Sequence, residues 1–276
     1  MRKCLMVPVF SIMAVTVVFG TAALAQAAPK SASSNSSSAV PVPRTAEGKP
    51  DLSGVWMAPV DPGEKASLPK WYKPAPRGNA SPPWFLTPWA QAQYDYNWNP
   101  TPGTNAHSAR LELNPRYSHC VPYNPAELVM GTRPFFPFEI IQLPKKIVLL
   151  YETDAMVRQV YMDGREHPKP LELTWEGNSI GHWEGDTLVI DTLGMRDENW
   201  LDDDGHVHSD QLHMVERIQR IDHDTLQTDL TLEDPKALKK PFTTTVFNKL
   251  RPNWDIREDI RCTENISKGI YGEIEQ

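Results

Sequence analysis

Short apolar runs broken by turn-forming residues dominate the chain from Phe138 to Cys262. Asp163-Gly164 and Gly185-Asp186 stand at hairpin positions between such runs. Short strands spaced roughly ten residues apart, with little helix, are typical of an antiparallel barrel or sandwich. The predicted strands are FEIIQL, KIVLLYET, MVRQVYMDG, LELTWEGN, SIGHWEGD, TLVIDTLG, LHMVERIQRID, TLQTDLTLEDP, FTTTVFNKL and WDIREDIRC.

Residues 51–137 are expected to hold the first strand and an arm, because proline and aromatic residues in 59–137 are too dense for a regular sheet interior. Gly54-Val55-Trp56 fits a first strand. Thr87-Pro88 predicts an N-cap and first position of one short helix that continues into WAQAQYDYNW. We expect an N-terminal arm, rich in proline and tryptophan, that covers the barrel.

The N-terminus predicts export. Residues 1–25 combine two basic residues, an apolar run and small residues before a cleavage point, as a signal peptide does. Residues 26–50 are expected to form a disordered Ser/Pro linker, and residues 51–276 suit a single β domain, with the main strands in 138–262. The mature chain is then expected to be periplasmic or secreted, with no membrane partner.

The charge of the chain bears on its binding partners, and its cysteine content bears on disulfide bonding. The net charge of −7 becomes −9 once Arg2 and Lys3 leave with the signal peptide, which disfavours nucleic acid. The mature chain keeps Cys120 and Cys262, and an even pair in an exported protein suggests a disulfide if the two meet in space.

An early Gly-x-Trp and late arginines favour a lipocalin-like, up-and-down barrel. In that arrangement an arginine from the last strand covers the tryptophan, here Trp56, and Arg257 and Arg261 are the candidates.

Longer motifs carry a family resemblance. At PDLSGVW, YMDGREHP, SIGHWEGDTLVIDT and HSDQLHMVERIQRID the chain resembles a family of secreted bacterial proteins of uncharacterised activity. The resemblance implies a lipocalin-like β-barrel and export, and it assigns no catalytic residue.

The stretch GHVHSDQLHMVER concentrates titratable side chains at a predicted barrel rim. In a strand that starts near Leu212, Glu216 shares a face with Leu212, and His213 lies on the other face. A metal could use His206, His208 and Asp210, although no metal is favoured.

Acid–base chemistry is the preferred interpretation of the same stretch. His208 or His213 would transfer a proton, and Asp210 or Glu216 would fix the tautomer. The structural alternative is that His213 bonds its neighbours while Asp210 caps a turn.

Other strands supply further candidates. Arg158 or Tyr161, on opposite strand faces, could anchor a substrate, as could His182 or Trp183. Asp191 is a carboxylate in an apolar strand, and if it pointed inward, burial would raise its pKa and make it a base.

Motifs for nucleotide cofactors, serine nucleophiles and zinc proteases are missing, so no cofactor is expected. The leading hypothesis is a cofactor-independent lyase or isomerase that acts on a small aromatic or apolar compound in the barrel mouth. The alternatives are a non-catalytic carrier of such a compound and a metal-dependent hydrolase or metal-binding module.

Overall fold

A closed β-barrel forms the body of the protein. The structure is a computed structural model that describes residues 40–70, 84–98, 113–130 and 136–257. The strands in these ranges are β1 Gly54–Met57, β2 Phe138–Leu143, β3 Lys146–Tyr151, β4 Val157–Tyr161, β5 Asn178–Glu184, β6 Thr187–Leu193, β7 His213–Asp222, β8 Thr225–Glu233 and β9 Phe242–Leu250. The helices are α1 Pro62–Ala66, α2 Pro88–Trp98, α3 Pro115–His119 and α4 Pro125–Met130.

The strands follow one another around the barrel in chain order, and β1 pairs with both β2 and β9 to close it. The predicted all-β barrel is confirmed. One neighbouring pair departs from up-and-down topology, because β4 and β5 are parallel. The chain must therefore return along the barrel between these two strands.

Residues 162–177 make this return. Asp163-Gly164 was predicted to form a hairpin and LELTWEGN a strand, and both predictions are wrong, because the segment has only an isolated bridge from Thr174 to Met195. We call residues 162–177 the crossover segment. It ends at Gly177, whose φ of +68° and close approach to the Leu193 carbonyl leave no room for a side chain.

Alternation along the strands fills the barrel with apolar side chains. On β6 and β7, Leu188, Ile190 and Ile218 point inward and pack into the same core as Trp56 and Ile140. This core is what the period-two pattern of the sequence predicts.

Arg220 covers Trp56 at one end of the barrel. Its guanidinium carbon lies 5.1 Å from the Trp56 ring centroid, and Arg220 donates to the Asp51 carbonyl. Arg220 belongs to β7, so the prediction that a last-strand arginine covers Trp56 is wrong for Arg257. The last described strand is β9, and Arg257 lies beyond it and donates its backbone N–H to Glu152. Arg261 lies outside the described residues.

The arm covers the other end of the barrel, where β7 begins and β8 ends. The predicted helix is confirmed as α2, and Thr87 caps it by accepting from the Ala90 N–H at 3.3 Å. A second core joins arm and barrel there through Leu86, Ala90 and Leu238, among others. The helices α1, α3 and α4 were not predicted, since each spans only five or six residues.

Several predictions fall on residues that the structure does not describe. The signal peptide and Cys262 are among them. Cys120 lies at the end of α3 in left-handed backbone with φ 53°, and the disulfide stays a prediction. Within the described ranges, no helix has the length and hydropathy of a membrane span.

Candidate functional site

The rim stretch before β7 is held by the arm. His206 is buried, its Nδ1 lies 2.6 Å from Asp202 Oδ2, and its ring stacks between Trp84 and Tyr94 at centroid distances of 4.7 and 4.3 Å. Asn97 of α2 donates to the Gly205 carbonyl at 2.9 Å. His206 thus packs the arm against the rim of the barrel.

His208 is buried in an amide pocket. Its Nδ1 donates to the Ser209 carbonyl at 3.0 Å, and its Nε2 lies 3.0 Å from Asn124 Nδ2 and 2.9 Å from Asn199 Oδ1. Burial lowers the pKa of His208, which agrees with a neutral ring. His208 was predicted to transfer a proton, but it contacts neither Asp210 nor His213.

The predicted convergence on Asp210 is not found. Asp210 is exposed. The carboxylate that accepts from the backbone of this turn is Asp234, which accepts from the Ser209 N–H at 2.6 Å. His206, His208 and Asp210 therefore point to separate surroundings, and no described group of His, Cys, Asp or Glu is arranged to hold a metal.

The neutral state of His208 predicts a pH effect on stability. Because its folded pKa lies below the ordinary 6.5, the unfolded state gains a proton first as pH falls. This contribution to stability is complete above about pH 6.5 and is lost on going down towards the folded pKa. The free energy of unfolding, measured with urea, should fall less between about pH 7.5 and 5 in His208→Gln than in the wild type. Equal slopes would contradict this prediction.

Glu216 and Arg158 meet inside the barrel. Arg158, at 1% exposure, donates to Glu216, to Thr192 Oγ1 at 2.8 Å and to Ser179 Oγ at 3.1 Å. Burial raises the pKa of the nearby Tyr151 phenol to about 12. Glu216 and His213 lie on opposite faces of β7, as predicted, so Glu216 cannot orient His213. His208 has Ser209, Asn124 and Asn199 as partners instead.

The other predicted substrate residues are dispersed. Tyr161 faces outward beneath Arg165, whose guanidinium carbon is 3.9 Å from the ring centroid. Trp183 packs against the barrel core. His182 is exposed on the outer face and lies 3.2 Å from Glu184. The structure does not bring these residues together.

A histidine–carboxylate pair does form on the outer face of the barrel. His213 Nε2 lies 3.1 Å from Asp191 Oδ2, and His213 Nδ1 lies 3.4 Å from Glu233 Oε2. Asp191 was considered as an inward carboxylate with a raised pKa. It points outward instead, and the hydrogen bond from His213 holds its pKa below the usual value despite partial burial.

The crossover segment completes this cluster. His167 Nε2 lies 3.0 Å from Asp191 Oδ1, and His167 Nδ1 lies 2.8 Å from Asn178 Oδ1. Sequence reasoning missed His167, because only the parallel return of the chain places the motif EHP over β5 and β6. It also missed Asn178 and Glu233; Glu233 lies opposite His213 in the antiparallel pairing of β7 with β8. We call Asn178, His167, Asp191, His213 and Glu233 the outer-face site.

The outer-face site favours a protonated His213. Both ring nitrogens face carboxylate oxygens, so both must carry hydrogen to donate. The hydrogen bond to Asp191 and its negative charge raise the pKa of His213, with a smaller contribution from Glu233. The His213 side chain is 31% exposed, and Glu233 is 52% exposed. Solutes can therefore reach the His213 ring, whose orientation is fixed by its hydrogen bond to Asp191.

Comparisons with models of protein families, with curated proteins and with solved structures found no match to this chain. The resemblance to a secreted bacterial family stays a prediction.

Proposed function

We propose that this protein is a cofactor-independent acid–base enzyme, a lyase or isomerase, whose proton-transferring group is the His213 imidazole. One observation carries the proposal: Asp191 fixes Nε2 of a part-exposed histidine, whereas Nδ1 faces a half-exposed glutamate at the longer distance of 3.4 Å. A substrate oxygen can displace Glu233 and take its place at Nδ1. The protonated ring can donate its Nδ1 hydrogen to that oxygen, and the neutral ring can then take a proton from the adjacent carbon, which returns it to the protonated form.

The residues behind His213 have positioning roles. Asp191 holds the ring and stabilises the imidazolium form, as a carboxylate does for a catalytic histidine. His167 donates to the second Asp191 oxygen, and Asn178 holds His167 from β5. The three residues come from the crossover segment, β6 and β5, so the position of the carboxylate depends on the parallel pairing of β4 with β5.

A small aromatic or apolar compound remains the proposed substrate. Ile180 and Val215 are the strand neighbours of Asp191 on either side, and all three side chains share the outer face. Apolar side chains beside a proton donor suit a substrate that carries a single polar group. The proposed site therefore lies on the outer face, not in the barrel mouth.

The test is proton exchange at carbon. Purified protein is incubated in D₂O with a panel of phenolic and benzylic carbonyl compounds, and ¹H NMR follows the loss of carbon-bound protons or the appearance of products. We expect His213→Gln to lower turnover at least about 100-fold, since glutamine cannot exchange a proton at neutral pH.

His182→Gln is the matched control. It removes another outward histidine of the barrel that also lies beside a glutamate, and it leaves the outer-face site intact. Turnover that survives in His213→Gln would refute the proposal. Compounds that bind without turnover, with affinity unchanged by His213→Gln, would favour the carrier alternative.

A carrier that holds its ligand deep in the barrel has less support. Trp56, Arg158, Ile140 and Ile190 point inward and are at most 2% exposed, so they leave no surface for a ligand between them. We propose a periplasmic or secreted location on the signal-like N-terminus alone.

A further inference from the structure

A short two-stranded ribbon presents aromatic rings and lysines on the arm side of the barrel. Leu86 bridges Leu238, the Thr87 N–H donates to the Ala237 carbonyl at 2.9 Å, and the Lys239 N–H donates to the Phe85 carbonyl at 2.7 Å. Leu86 and Leu238 are buried in the second core. The ribbon is therefore anchored, and its remaining side chains are held facing outward.

Two of the outward lysines lie over the faces of two outward aromatic rings. Lys240 Nζ lies 3.3 Å from the centroid of Phe85, and Lys236 Nζ lies 4.6 Å from that of Trp89. Phe85 is 41% exposed and Trp89 is 37% exposed. Lys239, beside them, is also exposed. We call Phe85, Trp89, Lys236, Lys239 and Lys240 the basic ribbon.

The basic ribbon opposes the charge of the whole chain. It places three lysines within residues 236–240 of a chain whose net charge is −7. The adjacent Asp234 is 2% exposed, and its oxygens accept from Ser209 and from the Ala237 N–H. This buried carboxylate is thus turned away from the lysines towards its own hydrogen-bond partners.

We infer that the basic ribbon docks the protein on a bilayer surface that contains anionic phospholipids. Lysines attract the headgroup charge, and exposed tryptophan and phenylalanine rings enter the interfacial region between headgroups and acyl chains. Each lysine near such a surface strengthens binding about fivefold. The negative charge of the rest of the chain is repelled, so the protein is held with this side towards the lipid. This departs from the expectation that the mature chain has no membrane partner.

Vesicle flotation tests the inference with the full protein. Vesicles of phosphatidylcholine with about one third phosphatidylglycerol should carry the wild type at an ionic strength of about 0.05 M, less of it at about 0.5 M, and vesicles of phosphatidylcholine alone should carry little. Reversal of the three ribbon lysines to glutamate should weaken binding at least about 100-fold. The double variant with Phe85→Ala and Trp89→Ala should weaken vesicle binding by a factor that does not depend on the salt concentration.

A charge-matched control separates the ribbon from net charge. It reverses three exposed lysines elsewhere on the chain and should keep most of the binding; they are Lys65, Lys70 and Lys145. Circular dichroism confirms that each variant is folded. Equal loss in control and ribbon variants would overturn the inference. Failure of the folded wild type to bind the anionic vesicles would also overturn it and would point to an acidic protein partner.

Discussion

Replacing Glu216 with leucine is expected to lower the free energy of unfolding by about 3–5 kcal/mol, because it leaves the guanidinium of Arg158 charged and unpaired inside the barrel. Arg158 is 1% exposed, and its Nη1 already has no hydrogen-bond partner among the described residues. Thr192 and Ser179 cannot replace a carboxylate, since they offer hydroxyl oxygens without charge. Urea unfolding followed by tryptophan fluorescence measures the loss.

The control is a double variant, Glu216→Leu with Arg158→Met. It removes both charges, and Ser179 and Thr192 remain bonded to each other at 2.9 Å. We expect the double variant to regain most of the stability, since apolar replacements of a buried ion pair are often neutral or better. A double variant as unstable as Glu216→Leu would show that packing, not the unpaired charge, causes the loss.

Replacing Asp191 with asparagine is expected to lower the turnover assigned to His213 by about 10³–10⁴-fold. An amide in this position cannot stabilise the imidazolium, and its NH₂ group favours the wrong tautomer. The pKa of His213 should fall towards its ordinary value, because the hydrogen bond that His213 donates to Asp191 is the largest cause of its rise. NMR titration of the His213 ring protons measures this change directly, whatever the substrate.

Glu233→Gln provides the graded comparison for that titration. Glu233 contributes less than Asp191 to the raised pKa of His213, so its loss should lower that pKa by a smaller amount. If the titration of His213 were the same in wild type and Asp191→Asn, the two side chains would not be coupled in solution. The assignment of Asp191 as a positioning residue would then be wrong.

Local signals in the sequence predicted much of the barrel. Alternation along β7 placed Glu216 and His213 on opposite faces of the strand, without showing which face is inside, and Thr87-Pro88 marked the start of α2. Both predictions rest on side-chain period or capping, which depend on residues a few positions apart. The structure agrees in both places.

Long-range pairing escaped the same reasoning. Nothing local in YMDGREHP distinguishes a hairpin from a crossover, so His167 could not be assigned to the carboxylate of Asp191, which lies 24 residues later. For the same reason Arg220 was missed as the partner of Trp56. The clustering of histidines in the rim stretch did not indicate the position of the site, because His206 packs against the arm.

The position of β1 has a consequence for folding. This four-residue strand closes the barrel by pairing with β2 and β9, although the arm separates it from β2, and most of the chain separates it from β9. Contacts between such distant segments form slowly, whereas hairpins such as β7–β8 need only a short loop. We therefore expect β2 to β9 to assemble first as an open, curled sheet. Until β1 arrives, the edges of that sheet are free to pair with another chain, so the last step of folding is also the step most exposed to aggregation.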